Sequence, residues 1–261
     1  MMKELTAVLG MVMVIASVAG AEEAKKPRRL LFVVETRGFH HDSTEAAIPV
    51  VMTLGRTSKL FTTTVTNDAS IITGDLLRDY DAVMFYTTGE LPMDPIQKNA
   101  LMAFIKLGKG FIGIHSATDT FYKWAEYGDM LGGYFDGHPW SQEVTINVED
   151  PYFPGMNRLG KSFVLKEEVY QYRNWSRDKV HVLLSMDVNS VDVSRGKRAD
   201  KDYAMAWCKQ WGKGRVLFNG LGHYPEAWND PRFQKMILDG ICWAMGDLPD
   251  RVPTEEPKQN K

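Results

Sequence analysis

Short apolar runs alternate along the first half of the chain with stretches whose apolar residues recur at helical spacing. A strand that is apolar at every position is covered on both faces, which is typical of parallel sheets. The predicted strands are residues 30–36, 60–66, 80–86 and 110–114, and the predicted helices are residues 43–57, 95–106 and 121–131. Strands and helices that alternate in this order predict an α/β fold with a doubly wound parallel sheet.

The pattern changes after residue 131. A glycine-rich loop is followed by two predicted strands that alternate between apolar and polar residues, at 141–148 and 163–172. Further strands are predicted at 180–186, 203–208 and 215–219. Such alternation indicates strands added antiparallel to the parallel core. Within residues 163–172, Glu168 and Tyr170 share one face of the strand, and Glu167 lies on the other. A last helix is predicted over residues 231–245.

The two ends of the chain differ in composition from its middle. A weakly positive start, an apolar run over residues 5–18 and the small residues Ala19-Gly20-Ala21 predict a signal peptide over residues 1–21, cleaved after Ala21. An uncleaved membrane anchor is the alternative, but the run is short for a span. We therefore expect a periplasmic or secreted protein with no stable membrane span after cleavage. A linker (22–29), one domain (30–248) and a polar tail (249–261) follow.

The charge of the chain bears on its expected partners, and its two cysteines bear on whether it contains a disulfide. The chain carries 31 Lys and Arg against 33 Asp and Glu, a net charge of −2, so its composition shows no basic excess and we expect no nucleic-acid partner. Export permits a disulfide, but Cys208 and Cys242 are both flanked by apolar residues. We predict two buried free thiols, with a disulfide as the alternative.

Polar side chains follow the predicted strands where each one ends. Because the carboxyl ends of parallel strands meet at one edge of the sheet, ligands bind there. Glu35, Glu90, His115 and His223 are each expected to line one cleft at that edge. The alternative for His223 is an ordinary loop histidine without a role in a site.

His115 occupies a special position. Strand 110–114 breaks into small and polar residues directly after Gly113-Ile114, and a strand, a tight turn and a helix together lift one side chain above the edge of the sheet. A histidine there can act as a general acid or base, a metal ligand or a hydrogen-bonding group. The alternative is a turn histidine that caps the following helix.

Five ordered motifs carry a resemblance to a known family. They are RGFHHDS (37–43), GIHSATDT (113–120), LGGYFDGHPW (131–140), EEVYQY (167–172) and GKGRVLFNGLGHYPEAWNDPRFQ (212–234). Together they resemble the ThuA-like (trehalose utilisation) family over nearly the whole predicted mature chain. The resemblance implies a class I glutamine amidotransferase-like fold, a flavodoxin-like three-layer sandwich with a mainly parallel sheet and antiparallel additions.

The chain differs from the amidotransferases at the position of their nucleophilic cysteine. Their elbow reads G-x-C-x-G, whereas here Gly113, His115 and Ala117 stand at those positions, so thiol glutaminase chemistry is not expected. The amidotransferase His-Pro-Glu resembles residues 223–226, with one residue inserted. Relatives in the ThuA-like family suggest a role in handling disaccharides or their 3-keto forms, so the expected partner is a small-molecule carbohydrate.

Two functions are consistent with these residues. The first is an enzyme that moves protons on a keto-sugar or glycoside, as an isomerase, lyase or hydrolase, with His115 and His223 as acid and base and Glu168 as their carboxylate partner. The second is a non-catalytic sugar-binding or interaction module that lost the nucleophile. In both, the candidate substrate-binding residues are Glu35, His40, His41, Glu90, Asp119, His138, Tyr170 and Trp228.

Cofactor chemistry stays largely open. No G-x-G-x-x-G follows the first strand, so a bound nicotinamide is not supported. A divalent metal remains an alternative, because imidazole suits zinc and its neighbours. The candidate ligands are His40, His41, His115, His138 and His223, whose spacing matches no metal-binding motif.

Overall fold

The computed structural model describes residues 27–252. The predicted signal peptide and its cleavage site lie outside the described residues, as do most of the predicted linker and tail. The strands are β1 (Arg28–Val33), β2 (Phe61–Thr66), β3 (Ala82–Phe85), β4 (Gly110–Ile114), β5 (Tyr134–Phe135), β6 (Trp140–Val148), β7 (Ser162–Val169), β8 (Tyr172–Arg173), β9 (His181–Met186), β10 (Ala204–Trp211) and β11 (Gly214–Asn219). The α-helices are α1 (Ser43–Ser58), α2 (Gly74–Leu77), α3 (Pro95–Lys106), α4 (Ala125–Leu131) and α5 (Pro231–Ala244).

A single nine-stranded sheet forms the centre of the protein. Its order is β2-β1-β3-β4-β11-β10-β9-β6-β7, and β5 pairs separately with β8. The first five strands in this order are parallel, whereas the pairs from β11 to β7 are antiparallel. The parallel part follows the flavodoxin-like order 2-1-3-4-5, with β11 as the fifth strand. The predicted parallel core with antiparallel additions is confirmed, but β11, which was predicted among the additions, pairs in parallel with β4 and belongs to the core.

Unbroken apolar strands place a core on each face of the sheet. Successive side chains of a strand point to opposite faces, so Leu30 and Phe32 of β1 pack into the core beneath α1 and α5. Leu31 and Val33 pack into the second core, beneath α2, α3 and α4. Both faces are therefore covered, which gives the predicted three-layer sandwich.

The predicted element bounds differ most near the carboxyl edge of the sheet. A 3-10 helix, His115–Asp119, follows β4 directly, and a bridge between Gly89 and Thr120 holds the chain extended, so α4 begins only at Ala125. The strand predicted over 163–172 is divided into β7 and β8, because β8 leaves the large sheet to pair with β5. The loops at this edge are therefore longer than predicted.

Two further expectations concern residues inside the domain. Cys208 and Cys242 are free and buried, as the sequence favoured, and burial raises the pKa of each thiol to about 12. Neither thiol is therefore a thiolate at neutral pH. No helix within residues 27–252 combines the length and apolarity needed to cross a bilayer.

Candidate functional site

His115 lies at the end of β4 in a strained backbone conformation. Its φ is +42°, in the left-handed region that histidine adopts more readily than most residues. Gly113 permits the tight packing of this turn, since a Cβ there would lie 2.9 Å from Leu131 and 3.1 Å from Ala117. The side chain of His115 is completely buried. The predicted elbow therefore exists, but it points into the protein rather than into solvent.

One hydrogen bond fixes the tautomer of His115. Its Nδ1 lies 2.9 Å from the carbonyl oxygen of Gly220, just after β11. Because a carbonyl oxygen can only accept, Nδ1 carries the proton. Nε2 is then unprotonated in the neutral ring, and it lies 3.1 Å from His223 Nδ1 and 3.6 Å from Glu168 Oε2. Burial lowers the pKa of His115, which favours this neutral form.

The loop that carries His223 is held by several hydrogen bonds. Gly222 has a φ of +107°, and its N–H donates to Glu167 Oε1 at 2.7 Å. The N–H of His223 donates to the other oxygen of Glu167 at 3.3 Å. The Gly222 carbonyl accepts from Tyr86 Oη at 3.0 Å and from Trp228 Nε1 at 3.1 Å. The backbone from which the His223 side chain projects is therefore held in place.

Glu168 connects three imidazoles. Its Oε2 lies 3.1 Å from His223 Nδ1 and 3.6 Å from His115 Nε2, and its Oε1 lies 3.0 Å from His138 Nδ1. Burial on its own would raise the pKa of Glu168, but the contacts with the imidazoles of His115 and His223 lower it far below its usual range. Glu168 is therefore ionised at neutral pH. The adjacent Glu167 is fully buried, and burial raises its pKa to about 7.

His41 completes the arrangement from the loop after β1. Its ring is buried and lies edge-on to His115 and His223, at centroid distances of 4.9 and 5.3 Å. Burial, together with the neighbouring imidazoles, lowers the pKa of His41 to about 3, so its ring is neutral. One ligand atom each from His41, His115, Glu168 and His223 lie within 4.8 Å of one another. We call these four residues the His/Glu cluster.

Three other predicted residues surround the cluster. The ring of Tyr170 lies 4.3 Å from that of His115, and its side chain is buried. His138 is half-exposed and stacks on Phe135 at 5.7 Å. Asp119 accepts a hydrogen bond from Tyr122, and burial raises the pKa of its carboxyl group. These three residues stay candidates for substrate contact.

Two of the predicted substrate contacts, Glu35 and Glu90, lie outside the His/Glu cluster. Glu35 is buried, and its two oxygens accept from Ala69 N and Arg37 Nε, so it joins loops of the sheet edge. Glu90 accepts the backbone N–H of Lys123 at 3.0 Å. The expected cleft therefore contains His115 and His223 but neither of these carboxylates, which bond to backbone and to Arg37.

His40 and Trp228 also require correction. The side chain of His40 is 60% exposed and approaches Asp42 at 3.9 Å, outside the cluster. Trp228 is fully buried, stacks on Tyr86 at 6.0 Å and donates to Gly222. Its ring belongs to the core and offers no face to a ligand.

Sequence reasoning did not single out Glu167 or Tyr86 as part of the site. Both hold the loop of residues 220–223 through hydrogen bonds to its backbone. The available signal was the pair of adjacent carboxylates in a predicted strand. Strand alternation places them on opposite faces, but it does not tell which one meets the histidines.

Comparisons with known proteins agree with this architecture. The family model described as trehalose utilisation (ThuA) matches residues 29–244. The chain is similar in structure to a ThuA-like protein from Bacteroides uniformis ATCC 8492, with a TM-score of 0.69 and 22% identity over 86% of this chain and 94% of that one. A ThuA-like protein from Parabacteroides merdae ATCC 43184 matches with a TM-score of 0.67 and 17% identity, over 89% and 95%. No curated protein sequence matches the chain.

Proposed function

Because the chain belongs to the trehalose utilisation (ThuA) family, which supports a carbohydrate-related role, we propose that it acts on a disaccharide or its 3-keto form by proton transfer at the His/Glu cluster. The observation that carries the proposal is the contact of one ionised carboxylate, Glu168, with two imidazoles that reach solvent. His223 is 19% exposed and His138 is 50% exposed, and they contact different oxygens of Glu168.

The histidines differ in exposure, and therefore in whether a substrate can contact them. The sequence suggested His115 as acid or base, but this residue has no exposed surface and a substrate cannot contact it. His223 and His138 are instead the groups that exchange protons with the sugar. His115 is a positioning residue, since its Nε2 lies beside His223 Nδ1 and its Nδ1 is tied to Gly220.

The chemistry follows from the acidity of a carbon next to a ketone. A base removes the proton from C2 of a 3-keto-sugar, and the electron pair moves towards the carbonyl oxygen. Return of a proton gives an isomer or epimer. If instead the C1–O bond breaks, the pair forms a C1=C2 double bond and the leaving oxygen takes a proton. Each route needs one acid and one base with pKa values near neutrality, which imidazoles supply.

A non-catalytic sugar-binding module is the second candidate. It is favoured by the enclosure of His115, because a histidine that no ligand can contact can hold a binding surface in shape without reacting. Incubation with 3-keto-disaccharides and their parent sugars, followed by mass spectrometry and by direct binding measurements, separates the two. Conversion supports the enzyme, whereas binding without conversion supports the module.

Export is part of the same proposal. The apolar run and the Ala19-Gly20-Ala21 site support cleavage after Ala21, and thus a periplasmic or secreted protein. Amino-terminal sequencing of the mature protein is expected to begin at Glu22. A mature protein that still begins at Met1 or Met2 would contradict export by cleavage.

A further inference from the structure

We propose that His41, His115, His223 and Glu168 form a binding site for one divalent transition-metal ion. The four ligands come from four separate parts of the chain: the loop after β1, the end of β4, β7 and the loop after β11. The sequence therefore shows no metal-binding motif. This site goes beyond the proposed function and does not depend on it, although the two share residues. An ion would take Nδ1 of His223 and Oε2 of Glu168, and the exposed His138 would still contact Oε1 of Glu168.

The spacing of the ligand atoms fits such an ion. His115 Nε2, His223 Nδ1 and Glu168 Oε2 form a triangle with edges of 3.1, 3.1 and 3.6 Å. Metal–ligand bonds of about 2.0–2.1 Å in a tetrahedral site hold neighbouring ligand atoms about 3.3 Å apart. The three atoms thus already surround a position at bonding distance from each of them.

Hydrogen bonds alone do not satisfy all three of these ligand atoms. Because Nδ1 of His115 donates to Gly220, its Nε2 has a lone pair that faces the carboxylate oxygen of Glu168. The single proton on His223 Nδ1 can serve only one of these two acceptors. A second proton on His115 would place an imidazolium ion wholly out of contact with water, which is costly. A cation between the three atoms removes the conflict.

His41 supplies independent support. Its ring is buried against His115, His223 and Phe39, and within residues 27–252 it makes aromatic contacts but no side-chain hydrogen bond. The residue is only 4% exposed, so water has little access to its ring nitrogens. A metal bond from one of its ring nitrogens would satisfy it.

Outer contacts resemble those of protein metal sites. Metal-binding imidazoles usually donate their other N–H to a carbonyl or carboxylate, and metal-binding carboxylates are themselves hydrogen-bonded. Here His115 donates to the Gly220 carbonyl, and Glu168 Oε1 is contacted by His138. Three imidazoles with one carboxylate favour Zn²⁺ and its neighbours, Mn²⁺ to Ni²⁺, over Ca²⁺ and Mg²⁺, which prefer all-oxygen sites.

Metal content and titration test the site without any sugar. The purified mature chain is analysed by inductively coupled plasma mass spectrometry, treated with chelator, and titrated with Zn²⁺ and, separately, with Co²⁺, whose visible absorption reports on its ligands. We expect one equivalent to bind and the melting temperature to rise. His41→Ala should lower affinity by at least the roughly 10- to 100-fold that loss of an outer partner costs.

Two control variants make the result specific. His40→Ala removes the adjacent exposed imidazole, and His181→Ala removes a histidine paired with Asp150 at 2.8 Å outside the cluster. Both should bind Zn²⁺ and Co²⁺ as the wild type does. The site is contradicted if the wild-type chain takes up neither ion, or if His41→Ala binds them as tightly as His40→Ala.

The outcomes separate this site from the proposed function. Binding of one ion without conversion of any sugar supports the site and counts against the proposed enzyme. Conversion by a chain that takes up neither ion contradicts the site and leaves the enzyme standing. If His41→Ala does not fold by circular dichroism, the titration of the chelator-treated wild type still decides the matter.

Discussion

Nε2 of His115 lies 3.1 Å from Nδ1 of His223, although the two residues are 108 positions apart in the sequence. The sheet explains the approach, because β4 and β11 are parallel neighbours in which Ile114 pairs with Asn219. Each histidine follows the carboxyl end of its strand. The site is thus built where two neighbouring strands end, and its function depends on the loops that follow them.

Replacement of His223 should abolish activity and spare the fold. His223→Ala removes an imidazole that is 19% exposed, so water can enter the space that it leaves. Loss of a positioned acid or base costs about 100- to 10,000-fold in rate. Steady-state kinetics on a 3-keto-disaccharide and a thermal melt measure the two effects. His181→Ala, the control outside the cluster, should keep wild-type activity; an equal loss there would discredit the assignment.

Replacement of His115 should affect stability as well. His115→Ala leaves the carbonyl of Gly220 without its donor, and an unsatisfied buried group costs about 1–3 kcal/mol. His115→Asn tolerates the positive φ better than alanine. We therefore expect both variants to lose activity, and the Asn variant to be the more stable in urea unfolding. Equal stability of the two would show that backbone strain at this position is unimportant.

Trp228 should behave as a core residue. The sequence suggested a ring that stacks on a sugar, but the side chain is fully buried. Trp228→Ala should lower the free energy of unfolding by about 3–5 kcal/mol, as for other buried aromatic residues. Chemical denaturation measures this directly. A variant with wild-type stability but weakened sugar binding would restore the stacking role.

The pH dependence of stability should reflect Asp81, far from the cluster. Partial burial raises the pKa of Asp81, but hydrogen bonds from Lys109 and the Arg29 N–H lower it by more, so the net shift is downward. A lowered folded-state pKa gives stability that is complete above the unfolded value, about 3.9, and is lost as pH falls through the folded value.

Urea unfolding of Asp81→Asn tests this sign. At pH 7 the variant should be less stable than the wild type by about 1 kcal/mol, and the difference should shrink as pH falls below about 4. Asp75→Asn, from an exposed pair with Arg78, should match the wild type throughout. A difference at Asp81 that persists unchanged at low pH would show that the carboxylate charge contributes nothing.

The sequence predicted the strands, and it predicted that the candidate functional residues lie at the carboxyl edge of the sheet. Continuous apolar runs and polar strand ends are local features that a sequence shows directly. It could not predict where each side chain points after the strand ends. The carboxylate of Glu35 accepts the Ala69 N–H, and the ring of Trp228 lies in the core. Neither was predictable, because loop conformations depend on contacts with distant segments. The convergence of His41 with Glu168 depends on tertiary packing and leaves no spacing signal.

The most direct test of the central proposal, proton transfer at the His/Glu cluster, is deuterium exchange. A 3-keto-disaccharide is incubated in D₂O with the wild type, Glu168→Gln and His181→Ala, and deuterium at C2 of the substrate and products is followed by mass spectrometry and NMR. The wild type and His181→Ala should replace the C2 proton with deuterium, or lose it together with the leaving group, and Glu168→Gln should do so about 100- to 10,000-fold more slowly. Binding of the sugar by the wild type without exchange or conversion would contradict the proposal.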